Sequence, residues 1–295
     1  MRTIAAHPSA GGHLMSTRRT PKRQSRDQGL REELAAAIPG VFGAIEPAAV
    51  RAIERIAEWV RIGAGETLFD AGDEADAAYL MILGRLHLST ISGGEEMIFA
   101  EVVSGEVVGG MGLIEDGTRA AKATAVRDSY LVRFPRDGFS KLAKSHPTAA
   151  LNLTRSMLAA VKPPTMRRFN AENTSIAIMG GATAEDIRMF ATRLVEEFSS
   201  HGPAAHIWGA RADSALGLLD ISQAGGDGPE AIALMRWLHE LELKNSILVY
   251  ECDPTWTAWS QRAVRQADLV VILADPTQTS PTRRCRQPRR KICNC

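Results

Sequence analysis

The residues with the clearest capacity for chemistry lie between Ser104 and Phe134, in the run SGEVVGGMGLIEDGTRAAKATAVRDSYLVRF. Gly105, Gly109, Gly110 and Gly112 surround one short apolar segment. Glycines this close together let the backbone approach a ligand and turn its N–H groups outward. A helix starting near Met111 would add the positive end of its dipole. Arg119 follows about two turns later and can bring a fixed, always-charged fork to the same point. Gly109, Gly110, Met111, Gly112 and Arg119, with Ala120 and Lys122 beside them, therefore outline a compact pocket for a single phosphate.

The flanking sequence reads as the frame that such a pocket needs. From Leu30 the apolar residues Leu34, Ile38, Val41 and Phe42 fall at helical spacing, with a break expected at Pro39-Gly40. Pro47 opens a second helix with an Val50, Ile53, Ile56, Val60 stripe. The period then changes from helical to alternating. Short apolar runs at Thr67–Phe69, Tyr79–Leu83, Leu86–Leu88 and Met97–Val103 are separated by Gly72-Asp73, Gly84 and Ser92-Gly93-Gly94. Short strands at such spacing indicate an antiparallel barrel or double-sheet roll. Asp137–Ser145 and the segment from Pro147 to Leu158 read as closing helices, and Val161-Lys162-Pro163-Pro164 as a stop and linker.

The stretch resembles the phosphate-binding cassette of cyclic nucleotide-binding domains. Val108-Gly109-Gly110-Met111-Gly112-Leu113-Ile114 matches the family's glycine turn and apolar pair, and Thr118-Arg119-Ala120-Ala121-Lys122-Ala123 its arginine segment. Gly65-Glu66-Thr67-Leu68-Phe69-Asp70-Ala71-Gly72-Asp73, Ala78-Tyr79-Leu80 and Gly84-Arg85-Leu86 extend the likeness, so that it runs from about Ile38 to Leu158. The resemblance implies a β-roll that binds cyclic AMP or cyclic GMP and passes its state on through the helices after the barrel. Two positions depart from the pattern. The glutamate that holds the ribose 2′-hydroxyl is Gly110, and the small hydroxyl residue after the arginine is Lys122. Loss of the ribose acceptor removes a charge-assisted bond of roughly 1.5–3 kcal/mol. A glutamate restored at 110 is accordingly expected to strengthen binding.

A second domain is expected from Thr174. Ser175–Met179, Ala205–Trp208, Ser246–Glu251 and Asp268–Ala274 read as strands, and Ala184–Ser199, Leu234–Leu243 and Trp256–Gln266 as helices. This alternation predicts a parallel sheet covered on both faces. The turn Gly180-Gly181-Ala182-Thr183 stands where a phosphate-binding loop would lie, but no lysine follows Gly181 and the dinucleotide spacing is absent, so a packing and relay domain is expected. The order of the two domains also resembles the regulatory part of bacterial patatin-like phospholipases of the neuropathy target esterase type. Arg265-Gln266-Ala267-Asp268-Leu269-Val270-Val271 matches a strand typical of that segment. The resemblance implies a patatin domain, C-terminal or separate, as partner. The glycine-rich oxyanion loop and the G-x-S-x-G elbow of that domain are not found in these 295 residues, and the chain is not expected to be an enzyme.

The remaining signals set limits. Apolar residues make up 45% and charged residues 23%, ordinary for a globular protein, and a net charge of +1 gives no whole-chain reason to expect a nucleic-acid partner. No apolar run reaches the roughly 20 residues of a membrane span. Four cysteines, three of them in the last eleven residues, do not form a disulfide framework, and a reducing cytoplasm is expected. Cys252 reads as a core residue. The ends have no apolar period. Residues 1–28 read as a solvated basic arm, or an over-long start with Met15 the true one. The basic run from Thr277 reads as a truncated or frame-shifted end in preference to a metal clip at Cys285, Cys293 and Cys295.

The expected architecture is thus α+β: a basic disordered arm (1–28), an antiparallel β-roll with flanking helices (29–162), a linker (163–173), a small α/β domain (174–276) and a disordered tail (277–295). The expected function is cyclic nucleotide-dependent regulation. The alternatives are the regulatory half of a patatin-like phospholipase or lysophospholipase and, third, a transcription regulator of the catabolite-activator type.

Overall fold

The structure is a computed structural model describing residues 21–111, 117–161, 174–180, 183–226, 228–274 and 292–294. Two helices lead in, α1 (Pro21–Phe42) and α2 (Pro47–Ile56). Helix α1 starts within the segment expected to be a disordered arm, and it runs through Pro39. The proline lies in its last turn, where tertiary partners do the holding. Val41 and Phe42 are fully buried in the core, and the last carbonyls are capped from outside the helix. Ser156 Oγ donates to Val41 O at 2.7 Å and Asn152 Nδ2 to Phe42 O at 2.6 Å.

Eight strands follow: β1 (Glu58–Ile62), β2 (Thr67–Phe69), β3 (Ala77–Leu83), β4 (Arg85–Ser92), β5 (Glu95–Val103), β6 (Val107–Val108), β7 (Lys122–Ala125) and β8 (Ser129–Pro135). They form two antiparallel four-stranded sheets, ordered β1-β8-β3-β6 and β2-β7-β4-β5. This is the expected β-roll. Strand β3 is buried along its whole length, so it reads as an unbroken apolar run rather than an alternating one. Phe69, Tyr79, Met81, Leu86 and Leu131 fill the interior between the sheets. Helices α3 (Arg136–Ser145) and α4 (Pro147–Val161) close the roll, with Leu142, Leu153 and Met157 buried in the same apolar cluster as α1 and α2.

The α/β domain comprises β9 (Thr174–Gly180), α5 (Ala184–Ser199), β10 (Ala204–Ile207), α6 (Gly209–Leu216), α7 (Pro229–Lys244), β11 (Ile247–Glu251), α8 (Ala258–Gln266) and β12 (Leu269–Leu273). Its sheet is parallel throughout, in the order β10-β11-β9-β12-β13, the last strand being Ile292–Asn294. Helix α6 was not expected: its sequence GARADSAL carries no apolar stripe, and what fixes it is burial of Gly209 and Ala212, the former against Ser222 and Trp259. Cys252 is buried as expected, and burial pushes its thiol up to about 12, so it remains a neutral core residue. Strand β13 (Ile292–Asn294) lies within the segment read as a disordered tail. An open sheet edge accepts an extended segment through backbone bonds alone, which apolar periodicity does not report. Cys285 and Cys295, and the linker 163–173, lie outside the described residues. No single described helix is long and apolar enough to cross a membrane.

The two domains are joined by shared packing and by buried charge. Ile232 and Met235 of α7 belong to the same apolar cluster as Leu34 and Ile38 of α1, and Arg236 pairs with Glu33. Arg127, in the turn between β7 and β8, is 1% exposed and reaches into the α/β domain. It pairs with Glu242 of α7 and, at 3.0 Å, with Asp268 ahead of β12. These two carboxylates outweigh its burial and hold the guanidinium above its ordinary value.

Candidate functional site

The glycine turn follows β6, and Arg119 precedes β7, so the antiparallel pairing of the roll brings both to one corner. Gly109 has φ +75°, and a Cβ there would lie 2.4 Å from Arg119 Nη1. Only glycine suits both demands. Arg119 is 5% exposed. Its Nη1 donates to Gly109 O at 2.7 Å and to Ala77 O at 2.8 Å, and its Nη2 to Asp76 Oδ1 at 3.2 Å. The guanidinium lies 4.4 Å from the Phe69 ring centroid and 5.5 Å from that of Tyr79. Its Nε is buried without a protein acceptor. Burial pulls Arg119 below its ordinary value, while Tyr79 and Asp76 act the other way. Asp76 is itself shared, since its other oxygen accepts from Arg133 Nη2 at 2.5 Å.

The structure thus joins Gly109 and Arg119 and adds partners that sequence reading did not supply. Phe69 of β2, Asp76 just ahead of β3 and Tyr79 of β3 surround the arginine from 40 to 50 positions away. Gly110 is buried beneath α4: a Cβ at that position would stand 2.4 Å from Met157 Cγ and 2.5 Å from Met157 Sδ. Met111 is half-buried, and Gly112 lies outside the described residues. Ala120 is exposed. Lys122 directs its ammonium to Asp70, 3.7 Å away. The one signal for the missed residues is the Asp76 charge immediately ahead of the apolar strand β3. An anion can meet the arginine by replacing Asp76, or through Nε or the second N–H of Nη2.

The carboxyl edge of the parallel sheet is a second place where ligands bind in such folds. Here its charges are paired internally. Thr183 caps α5 in a capping box, with Asp186 Oδ2 accepting from Thr183 Oγ1 at 2.6 Å. Asp186 and Glu185 put carboxylates where a phosphate-binding loop would place its anion. Glu251, at the end of β11, accepts from Arg188 Nη2 at 3.0 Å and lies 2.8 Å from His206 Nε2. Burial opposes its ionisation, but hydrogen bonds from His206 and Arg188 outweigh this and hold the carboxyl below its usual range. A carboxylate depressed in the folded state stabilises the fold above its unfolded pKa, and that contribution is lost as pH falls through the folded value. Glu251→Gln is therefore expected to be less stable than the parent at pH 7, with the gap closing below about pH 4. Urea midpoints measured across that range check this, and a gap independent of pH would count against it.

Comparison with known proteins bears on both domains. Residues 59–146 match the family model of the cyclic nucleotide-binding domain, and residues 172–287 that of the neuropathy target esterase family P-loop like domain. A lysophospholipase of Neurospora crassa is 30% identical over 241 residues, covering 74% of this chain and 16% of that protein. The neuropathy target esterase sws of Drosophila virilis is 25% identical over 248 residues, again 16% of that protein. The chain therefore spans about one sixth of the length of these curated relatives. Among solved structures, a cyclic nucleotide-binding domain from Methylobacillus flagellatus is 18% identical with a TM-score of 0.42, over 48% of this chain and 84% of that one. The regulatory domain of Toxoplasma gondii PKA with cAMP is 25% identical with a TM-score of 0.37, over 39% of this chain and 45% of that one.

The chain thus contains a cyclic nucleotide-binding domain over residues 59–146. Its second domain is the P-loop like domain of the neuropathy target esterase family, and the two together are homologous to a segment of the lysophospholipases of that family.

Proposed function

We propose that the β-roll is a cyclic nucleotide sensor whose pocket has lost its ribose contact, and that it regulates a patatin-like lipid hydrolase domain supplied beyond or beside this chain. The observation that carries the reading is Arg119, held against the carbonyl of Gly109 at the cassette corner. The ligand meets the phosphate corner and biases helices α3 and α4, which it can do only through a difference in affinity between two arrangements. Gly110 offers no carboxylate, and Arg119 has most of its donors committed to Ala77, Gly109 and Asp76, so affinity is low. The reading carries a cytoplasmic location with it. It disfavours the transcription regulator, since from Thr174 the chain forms a parallel sheet where that class needs a helix-turn-helix.

Titration calorimetry with cyclic AMP and cyclic GMP tests the reading. Binding is expected at roughly micromolar or poorer, about −8 kcal/mol at best, and Arg119→Ala is expected to abolish it. Heat that survives Arg119→Ala would place the pocket elsewhere. No heat at all would leave the roll as a scaffold.

A further inference from the structure

The pairing of Gly110 with Met157 bears on which ligand the cassette corner accepts. Met157 Cγ and Sδ stand 2.4 and 2.5 Å from where a Cβ at 110 would lie, so the thioether fills the volume that a side chain at 110 would need. Met157 is 2% exposed. It belongs to a buried row, Ala149, Leu153 and Met157, at successive turns of α4. The polar side chains between them are committed elsewhere. Asn152 and Ser156 bond the end of α1, and Thr154 Oγ1 donates to Ala150 O at 3.0 Å within the helix. What α4 sets against Gly110 is therefore apolar, where the resemblance calls for a carboxylate.

In a 3′,5′-cyclic nucleotide the phosphorus is bonded to the sugar through both O3′ and O5′. A phosphate held by Arg119 and the turn at Gly109 thus brings its sugar to the next residue, Gly110. By the resemblance, the acceptor of the 2′-hydroxyl stands at that position. A 2′-hydroxyl arriving there leaves water and meets a thioether, which is a weak acceptor. Burying a hydroxyl without a good partner costs more than burying a hydrogen in its place. An apolar wall rejects one added hydroxyl only moderately, so the discrimination is about tenfold.

We propose that Met157 is a specificity-determining residue of the cassette corner, and that the corner takes 2′-deoxy cyclic nucleotides in preference to cyclic AMP and cyclic GMP. This preference rests on the sensor reading and names the ligand class of the same site.

Calorimetry of the full chain with cyclic AMP and with 2′-deoxy cyclic AMP tests it. The deoxy ligand is expected to bind about tenfold more tightly. Met157→Leu is apolar and of similar volume, and is expected to keep that ratio. Met157→Gln puts an amide oxygen at the same point and is expected to bring the ratio to one or below. A purely structural role for Met157 would change both affinities together and leave the ratio alone. The melting midpoint of each variant shows that it is folded at the temperature of titration, and the ratios in the parent and Met157→Leu decide the matter if the glutamine variant does not fold. Equal affinities in the parent, tighter binding of cyclic AMP, loss of the ratio in Met157→Leu, or a ratio unmoved in folded Met157→Gln would each overturn the preference and leave the sensor standing. Heat from neither ligand in the parent would overturn the sensor reading and the preference with it.

Discussion

Arg127→Met is expected to lower stability by about 3–5 kcal/mol, which for a chain of this size moves the melting midpoint by about 10 °C. The guanidinium is 1% exposed and supplies the counter-charge of Glu242 and Asp268. Its Nη2 also donates to Ser175 Oγ at 3.1 Å. Truncation leaves Glu242 inside the junction without its cation, and breaking a buried pair from one side costs more than removing it from both. The double variant Arg127→Met/Glu242→Leu is therefore expected to regain a good part of the loss. Because the arginine joins the roll to the α/β domain, the single variant is also expected to unfold in two steps by calorimetry. A single variant within about 0.5 kcal/mol of the parent would mean that the junction does not depend on this charge.

Gly110→Glu is expected to damage the protein, not to restore its pocket. From sequence the position is a missing ribose acceptor. In the structure it is the floor under α4, with Met157 Cγ 2.4 Å and Met157 Cβ 3.0 Å from where a Cβ would stand. Met157 is 2% exposed, so a carboxylate introduced there must either enter an apolar cluster or push α4 away. A loss of about 3 kcal/mol is expected, with cyclic AMP affinity no better than that of the parent. Gly110→Glu/Met157→Ala makes room for the new side chain and is expected to bind cyclic AMP more tightly than the parent. Tighter binding by Gly110→Glu alone would show that α4 yields freely and that Met157 does not obstruct the pocket.

These two positions mark how far sequence reading reaches. The sequence by itself determined the two domains and their order, the β-roll, the parallel α/β pattern, and Gly109 and Arg119 as a pair. Those features rest on local period, on turn residues and on a short spacing, all of which are written along the chain. The cap of α1, helix α6 and strand β13 were decided by tertiary contacts, because backbone groups and small residues bury without leaving a periodic trace. The same holds at the site. Asp76 and Arg119 are 43 positions apart and Arg127 and Asp268 141 apart, and only folding makes them neighbours. Whether a glycine at 110 is a vacant acceptor or a seat for Met157, and whether a buried arginine has two carboxylates or none, depends on what packs across the sheet or the domain junction. Packing is set by three-dimensional proximity, so the tertiary structure alone decided those points.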